Sequence, residues 1–131
     1  MKHRIKVREE RRTKLYLMSS IEQITEQLRE FANERDWNQF HSAKNLILAL
    51  VGEVGELASE VQWLTPQEMD SRAGDKSIAD EIADIALYLI RLSDVLGIDL
   101  SEAISRKLAE NAEKYPIEKS RGNALKYDKL T

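Results

Sequence analysis

Cysteine is missing from this 131-residue chain, which excludes a disulfide scaffold, thiol catalysis and any zinc or iron–sulfur centre built on thiolates. Long apolar runs are missing too. None reaches the roughly 18 residues of a membrane span, and the charged N-terminus lacks the apolar core of a secretion signal, so a cytoplasmic protein that uses no membrane is expected. Charge of one sign is not in large excess: 33% charged residues leave a net charge of −3, which gives no reason to expect a nucleic-acid polymer or an anionic lipid surface as partner. A Gly-rich Walker pattern is absent, and histidine is limited to His3 and His41. The most informative absence is local. No Lys or Arg lies between Lys44 and Arg72, and none between Lys76 and Arg91.

These cation-free windows hold the most regular apolar patterning of the chain. Ile47, Leu50, Val54, Leu57 and Val61 recur at spacings of three and four, as do Ile82, Ile85, Leu89, Leu92 and Leu96; each set lays one stripe along a helix. Glu53, Glu56 and Glu60 follow the first stripe one residue behind, and Glu81 and Asp84, with Tyr88 and Arg91 beyond them, follow the second. One residue is about 100° of rotation, so these side chains are expected half-buried on the shoulder of the stripe. Unpaired acids gathered beside a core are resolved by protonation or by a bound cation, and a cation is the reading preferred here. The alternative is an acidic seam neutralised by Lys or Arg from another helix or subunit, with Glu60 and Asp80 as ordinary solvated acids.

The remaining elements follow from local signals. A chain of this length is expected to hold one core and, with wide apolar faces on several helices, to self-associate. Residues 1–17 are the strongly basic part and are expected to be a flexible extension ahead of one domain over 18–131. Ser20 and Gln23 are spaced as a capping box for a first helix from about Ser20 to Arg35. Arg35 to Ser42 then breaks the period and places Trp37, Phe40 and His41 in a short connection; such aromatics stack on flat ligands or pack across a helix corner. Ser42 is the expected cap of the second helix, in which Gly52 and Gly55 suggest the close approach of a crossing helix. Leu64 to Lys76 reads as a plain loop. The third helix is expected to start after Ser77 and stop at Gly97, and the fourth to open at an Asp99–Glu102 capping box and close at Pro116. Lys107, Asn111 and Lys114 form a row on that helix: a solvated face, or the far side of a polyphosphate site. From about 117 the tail reads as an irregular basic flap.

Two acidic pairs, Glu53/Glu56 and Glu81/Asp84, converge if their helices pack antiparallel. All four are hard oxygen ligands, and neither histidine lies three or four residues from them, so magnesium or manganese suits them better than zinc or iron. Magnesium commonly shares its shell with water and substrate phosphates, which makes a phosphate substrate the natural companion.

The segments LALVGEVGELASEVQW, ADEIADIALYLIRLSDVLGIDL and KLAENAEKYP resemble the MazG-like, all-α nucleoside triphosphate pyrophosphohydrolases, and RDWNQFH with KSRGNALKYDKL is similar to their dCTP pyrophosphatase branch. The resemblance spans roughly Ile21 to Leu130. It implies a four-helix all-α bundle completed by dimerisation or tetramerisation, a homodimer or homotetramer that cleaves a nucleotide substrate, dCTP or a modified pyrimidine dNTP, to monophosphate and pyrophosphate with magnesium, manganese substituting. It further implies Glu53, Glu56, Glu81 and Asp84 as catalytic metal ligands, with Asp84 or Glu56 steering the attacking water. Trp37, His41, Trp63 and Tyr88 would form the base pocket, and Asn111, Lys114 and Tyr115 would contact phosphate or sugar. His41 has a second option, holding the Trp37 loop. Relatives that cleave dUTP, oxidised nucleotides or phosphoribosyl-ATP share the metal block, and a non-catalytic helical oligomer that binds nucleotide or protein is the alternative of a different class.

Overall fold

The structure is a computed structural model, and it describes residues 20–130. The basic segment 1–17 lies outside the described residues. Those described are helical and contain no strand, and no helix among them is long and apolar enough to cross a membrane. They fall into two compact units that divide between Ile98 and Asp99.

In the first unit, α1 (Ile21–Glu34) opens at the expected capping box, in which Ser20 Oγ accepts from Gln23 N–H and the Gln23 side chain accepts from Ser20 N–H. Two orphan donors of the first turn are thereby satisfied. A 3₁₀ turn at Asn38–Phe40 leads to α2 (Ala43–Val61), capped by Ser42 as expected. The stretch expected to be a plain loop holds a short helix, α3 (Pro66–Ser71), with Pro at the start and a Thr65/Glu68 capping box. Its six residues are too few to show an apolar period, but the cap itself is a local signal. The long helix α4 (Lys76–Val95) begins slightly before Ser77, because Asp75 rather than Ser77 caps it and accepts from Ser77 N–H at 2.9 Å. Gly97, at φ +67°, ends it in the left-handed conformation that glycine adopts without strain.

Helices α2 and α4 pack along one another, and α1 packs on α4. Their direction follows from side-chain partners: Glu60 near the end of α2 bonds Ser77 at the start of α4, while Glu53 faces Asp84 further along. The two helices are antiparallel. The faces that meet take in only part of the expected stripes: Leu50, Leu57, Val61, Ile85 and Leu92 are half-buried, and the rest are not. Leu46 is buried and Leu50, Glu53 and Leu57 are half-buried on α2, with Ile78 buried and Glu81, Ile85 and Tyr88 half-buried on α4. The stripe residues Ile47, Val54, Ile82, Leu89 and Leu96 are exposed in the single chain, as are Leu48 and Val51. Two adjacent apolar faces share each helix, and the one turned towards its neighbour in this unit carries Glu53 and Glu81 half-buried, whereas Glu56, Glu60 and Asp84, expected to be half-buried too, are exposed. Nor does a crossing helix of the described chain touch Gly52 or Gly55, since no described atom lies within 4 Å of a Cβ built on either.

The second unit contains α5 (Leu100–Lys114), α6 (Ile117–Ser120) and a 3₁₀ turn at Tyr127–Lys129. Asp99 caps α5 by accepting from Glu102 N–H. The tail is more ordered than an irregular flap. Tyr115 and Tyr127 meet edge to face at 6.1 Å, and Lys114 lies over the Tyr127 ring at 5.5 Å.

Candidate metal centre and aromatic cavity

Antiparallel packing brings carboxylates from α2 and α4 together. One oxygen from each of Glu53, Glu81 and Asp84 lies within 4.8 Å of the others. Glu56 is not among these three, yet its charge reaches both Glu53 and Glu81. Among the described residues no Lys or Arg pairs with any of the four. Glu60 is different: it accepts from Arg72 Nη2 at 3.0 Å and from Ser77 Oγ at 3.2 Å, so the loop before α4 neutralises it. Asp80 pairs with Lys76 one turn away on the surface. The acids expected to be ordinary are thus the ones supplied with cations.

The unpaired acids behave accordingly. Burial raises the Glu53 pKa, and the charges of Glu56 and Asp84 raise it further. Glu81 is raised by burial first, then by Glu56, Glu53, Asp84 and Glu60. Oxygen Oε2 of Glu81 is buried with no hydrogen-bond partner among the described residues, a deficit that native structures rarely leave, and one that a bound ion or water would meet. Three hard oxygen donors, one of them orphaned and none neutralised by a cation, fit a divalent cation such as magnesium, manganese or calcium.

Asp84 also borders a second feature. A cavity of about 200 Å³ is lined by Leu28, Phe31, Trp37, His41, Asp84, Leu87, Tyr88 and Arg91. Its aromatic wall is built from the end of α1 and the connection that follows: Trp37 meets Phe31 edge-on at 5.7 Å and His41 at 6.2 Å, while the Arg35 guanidinium covers the outer Phe31 face at 3.6 Å. The chain turns there at Asp36, whose φ of +55° is tolerated by a short polar side chain. Of the residues implied for a base pocket, the structure brings Trp37, His41 and Tyr88 together. Trp63 does not line this cavity and is 86% exposed. Asn111, Lys114 and Tyr115 belong to the second unit, where all three are exposed.

The sequence reading places Arg91 on the line of Glu81, Asp84 and Tyr88 but gives it no role, and it does not single out Asn38; in the structure Arg91 is a buried residue of the cavity lining that donates to Asn38 Oδ1. The available signal was a lone cation inside the apolar run ALYLIRL, on the line of Glu81, Asp84 and Tyr88.

The comparisons with known proteins agree with this architecture. The family model described as MazG-like matches residues 49–130. The dCTP pyrophosphatase 1 of Mus musculus is 42% identical over 115 residues, covering 85% of this chain and 68% of that protein. Its counterpart in Homo sapiens is 39% identical over the same length. Among solved structures, a pyrophosphatase from Archaeoglobus fulgidus superposes with a TM-score of 0.68 at 36% identity, over 77% of this chain and 96% of that one. A family match over more than half of the chain, joined by relatives of this identity and a shared all-α fold, shows that the chain belongs to the MazG-like family, on its dCTP pyrophosphatase-like branch.

Proposed function

We propose that this nucleoside triphosphate pyrophosphohydrolase acts on dCTP or a modified pyrimidine dNTP, releasing monophosphate and pyrophosphate with magnesium, as a cytoplasmic enzyme that cleans the nucleotide pool. The observation that carries the reading is the meeting of Glu53, Glu81 and Asp84, with its orphaned oxygen, at the rim of an aromatic cavity that Asp84 itself lines. A flat base in the cavity would place a phosphate chain beside the acids.

A divalent cation bound there supplies charge neutralisation and Lewis-acid activation for phosphoryl chemistry. Glu53, Glu81 and Asp84 hold it, with Glu56 completing the negative site. Asp84 or Glu56 orients the attacking water. Trp37 and Tyr88 flank the base, and the apolar wall of Leu28, Phe31 and Leu87 excludes water from it. Asn111, Lys114 and Tyr115 contact phosphate or sugar. Trp63 takes part in base binding only when a second copy of the chain brings it to the cavity, and the exposed Ile47, Leu48, Val51 and Val54, with the open surface at Gly52 and Gly55, support a homodimer or homotetramer. Residues 18–131 act as one domain in this reading.

The test is a panel of canonical and modified dNTPs incubated with the purified protein and magnesium, the products resolved by chromatography. A pyrimidine dNTP giving monophosphate and pyrophosphate, stopped by chelation, is the expected result. Release of only the terminal phosphate would contradict it, and binding without turnover would favour a non-catalytic nucleotide-binding oligomer.

A further inference from the structure

Arg91 lies seven residues beyond Asp84 on α4, and the chemistry above leaves it without a role. Each of its three guanidinium nitrogens makes one hydrogen bond. The Nε–H donates to His41 Nδ1 at 3.2 Å, Nη1 to Asp94 Oδ2 at 2.8 Å and Nη2 to Asn38 Oδ1 at 2.7 Å. Asp94 is gripped in turn by Arg29 of α1, whose Nε lies 2.9 and 3.0 Å from its two oxygens. One buried cation therefore ties α1, the Asn38–His41 connection and α4 together.

An arginine has donors only. The His41 nitrogen that faces it must be the acceptor, so the imidazole is neutral and its proton sits on Nε2. Burial and the neighbouring Arg91 charge both hold the His41 pKa below its usual value, which favours the same neutral ring. That ring lines the cavity with Trp37, Asp84 and Tyr88. Its Nε2–H has no partner among the described residues, and a second tautomer would replace this donor by a lone pair.

We propose that Arg91 is a positioning residue for base recognition: by holding Asn38 and His41 it locks the His41 ring as an Nε2–H donor on the cavity wall, so the cavity takes a base edge that presents a carbonyl oxygen or an unprotonated ring nitrogen. The inference rests on the nucleotide reading above and adds to it the residue that sets hydrogen-bond polarity. Lysine cannot substitute, because one ammonium on a flexible stem does not reproduce three fixed donors at once.

Two measurements test it. In ligand-free, ¹⁵N-histidine-labelled protein at neutral pH, a long-range ¹H–¹⁵N spectrum assigned with His41→Gln should show His41 protonated on Nε2 alone; protonation on Nδ1, or a mixture of tautomers, would overturn the lock. Arg91→Met and Arg91→Lys should convert that signature to a tautomer mixture. Both should raise KM for the dNTP by roughly five- to tenfold, about one hydrogen bond, with kcat changed by less than about twofold. In a His41→Ala background, Arg91→Met should add nothing further to KM, since the effect runs through His41. An unchanged KM, or an equal and independent rise in that background, would show that Arg91 only stabilises the fold or touches ligand directly. The wild-type spectrum decides the lock even if the Arg91 variants fail to fold. A wild type that turns over no dNTP would defeat the nucleotide reading while leaving the spectrum to decide the lock.

Discussion

Helix α4 carries two charged clusters, and they resolve the same electrostatic problem in opposite ways. Around Glu81 and Asp84, carboxylates gather with Glu53 of α2, and among the described residues no cation pairs with them and one buried oxygen has no partner. Around Arg91 and Asp94, less than two turns from the helix end, Asp94 receives two arginines and the Arg91 guanidinium meets His41, Asn38 and Asp94. The second cluster is closed by the chain itself. Charge that the fold satisfies internally holds elements together, whereas charge left unsatisfied is where something from outside completes the structure.

The largest expected effect comes from the open cluster. Glu53→Gln removes one donor and should lower turnover by at least about a thousandfold, as loss of a metal ligand does in phosphoryl chemistry. Helicity and oligomer size, read by circular dichroism and light scattering, should not change. Retained turnover would remove the distinction between the clusters at its functional end.

The closed cluster should answer to stability instead. Asp94→Asn leaves Arg91 buried beside a neutral group and should destabilise by roughly 3 kcal/mol, since breaking one partner of a buried pair strands the other charge. Denaturant unfolding measures it. A loss of under about 0.5 kcal/mol would place this pair among ordinary surface contacts.

Acidity should separate the clusters by sign. Asp94 is held below its usual pKa, chiefly by hydrogen bonds from Arg29, so its contribution is present above pH 3.8 and is lost as pH falls through the lowered folded value. Glu53 and Glu81 are raised from 4.5, so in metal-free protein they cost stability that appears as pH rises through 4.5 and is complete above the folded values. Magnesium should reverse that cost at neutral pH, by about 2.7 kcal/mol at a hundred times its Kd, and much less at pH 4.5, where Glu53 and Glu81, raised above that value, mostly hold protons. Thermal melts with and without magnesium at the two pH values check this. Equal stabilisation at both would place the ion elsewhere.

The smallest effect is a control. Lys76 and Asp80 form a solvent-exposed pair one turn apart, and Lys76→Ala should leave Tm and turnover unchanged within error. A clear loss of turnover would mean that the cation-free account of the acidic seam omits a long-range partner.

Local chemistry was readable in advance because it is written within a few residues. The caps at Ser20, Ser42 and Asp99 and the stop at Gly97 each act over one turn, and the candidate acids were visible as short-period pairs in windows without cations. Helix α3 was equally local, but its Thr65-Pro66 start and Glu68 were obscured by the lack of an apolar period to extend them. The stripes were only partly legible for another reason, with Leu50, Leu57 and Ile85 half-buried but Ile47, Val54, Ile82 and Leu89 exposed in the single chain. Periodicity identifies a face that avoids water, and it carries no label for which neighbour will cover that face.

By itself the sequence determined an all-α chain, the families of acids and aromatics available for chemistry, and the MazG-like kinship, because helix formation and motif spacing depend on neighbours along the chain. Only the tertiary structure decided which of them meet. The antiparallel register of α2 and α4 selected Glu53, Glu81 and Asp84 for convergence and handed Glu60 to Arg72. The packing of α1 on α4 closed a cavity around Trp37, His41 and Tyr88 and buried Arg91 in its wall. Such contacts join residues some fifty positions apart, such as Asn38 and Arg91, and no local preference of the chain encodes their register.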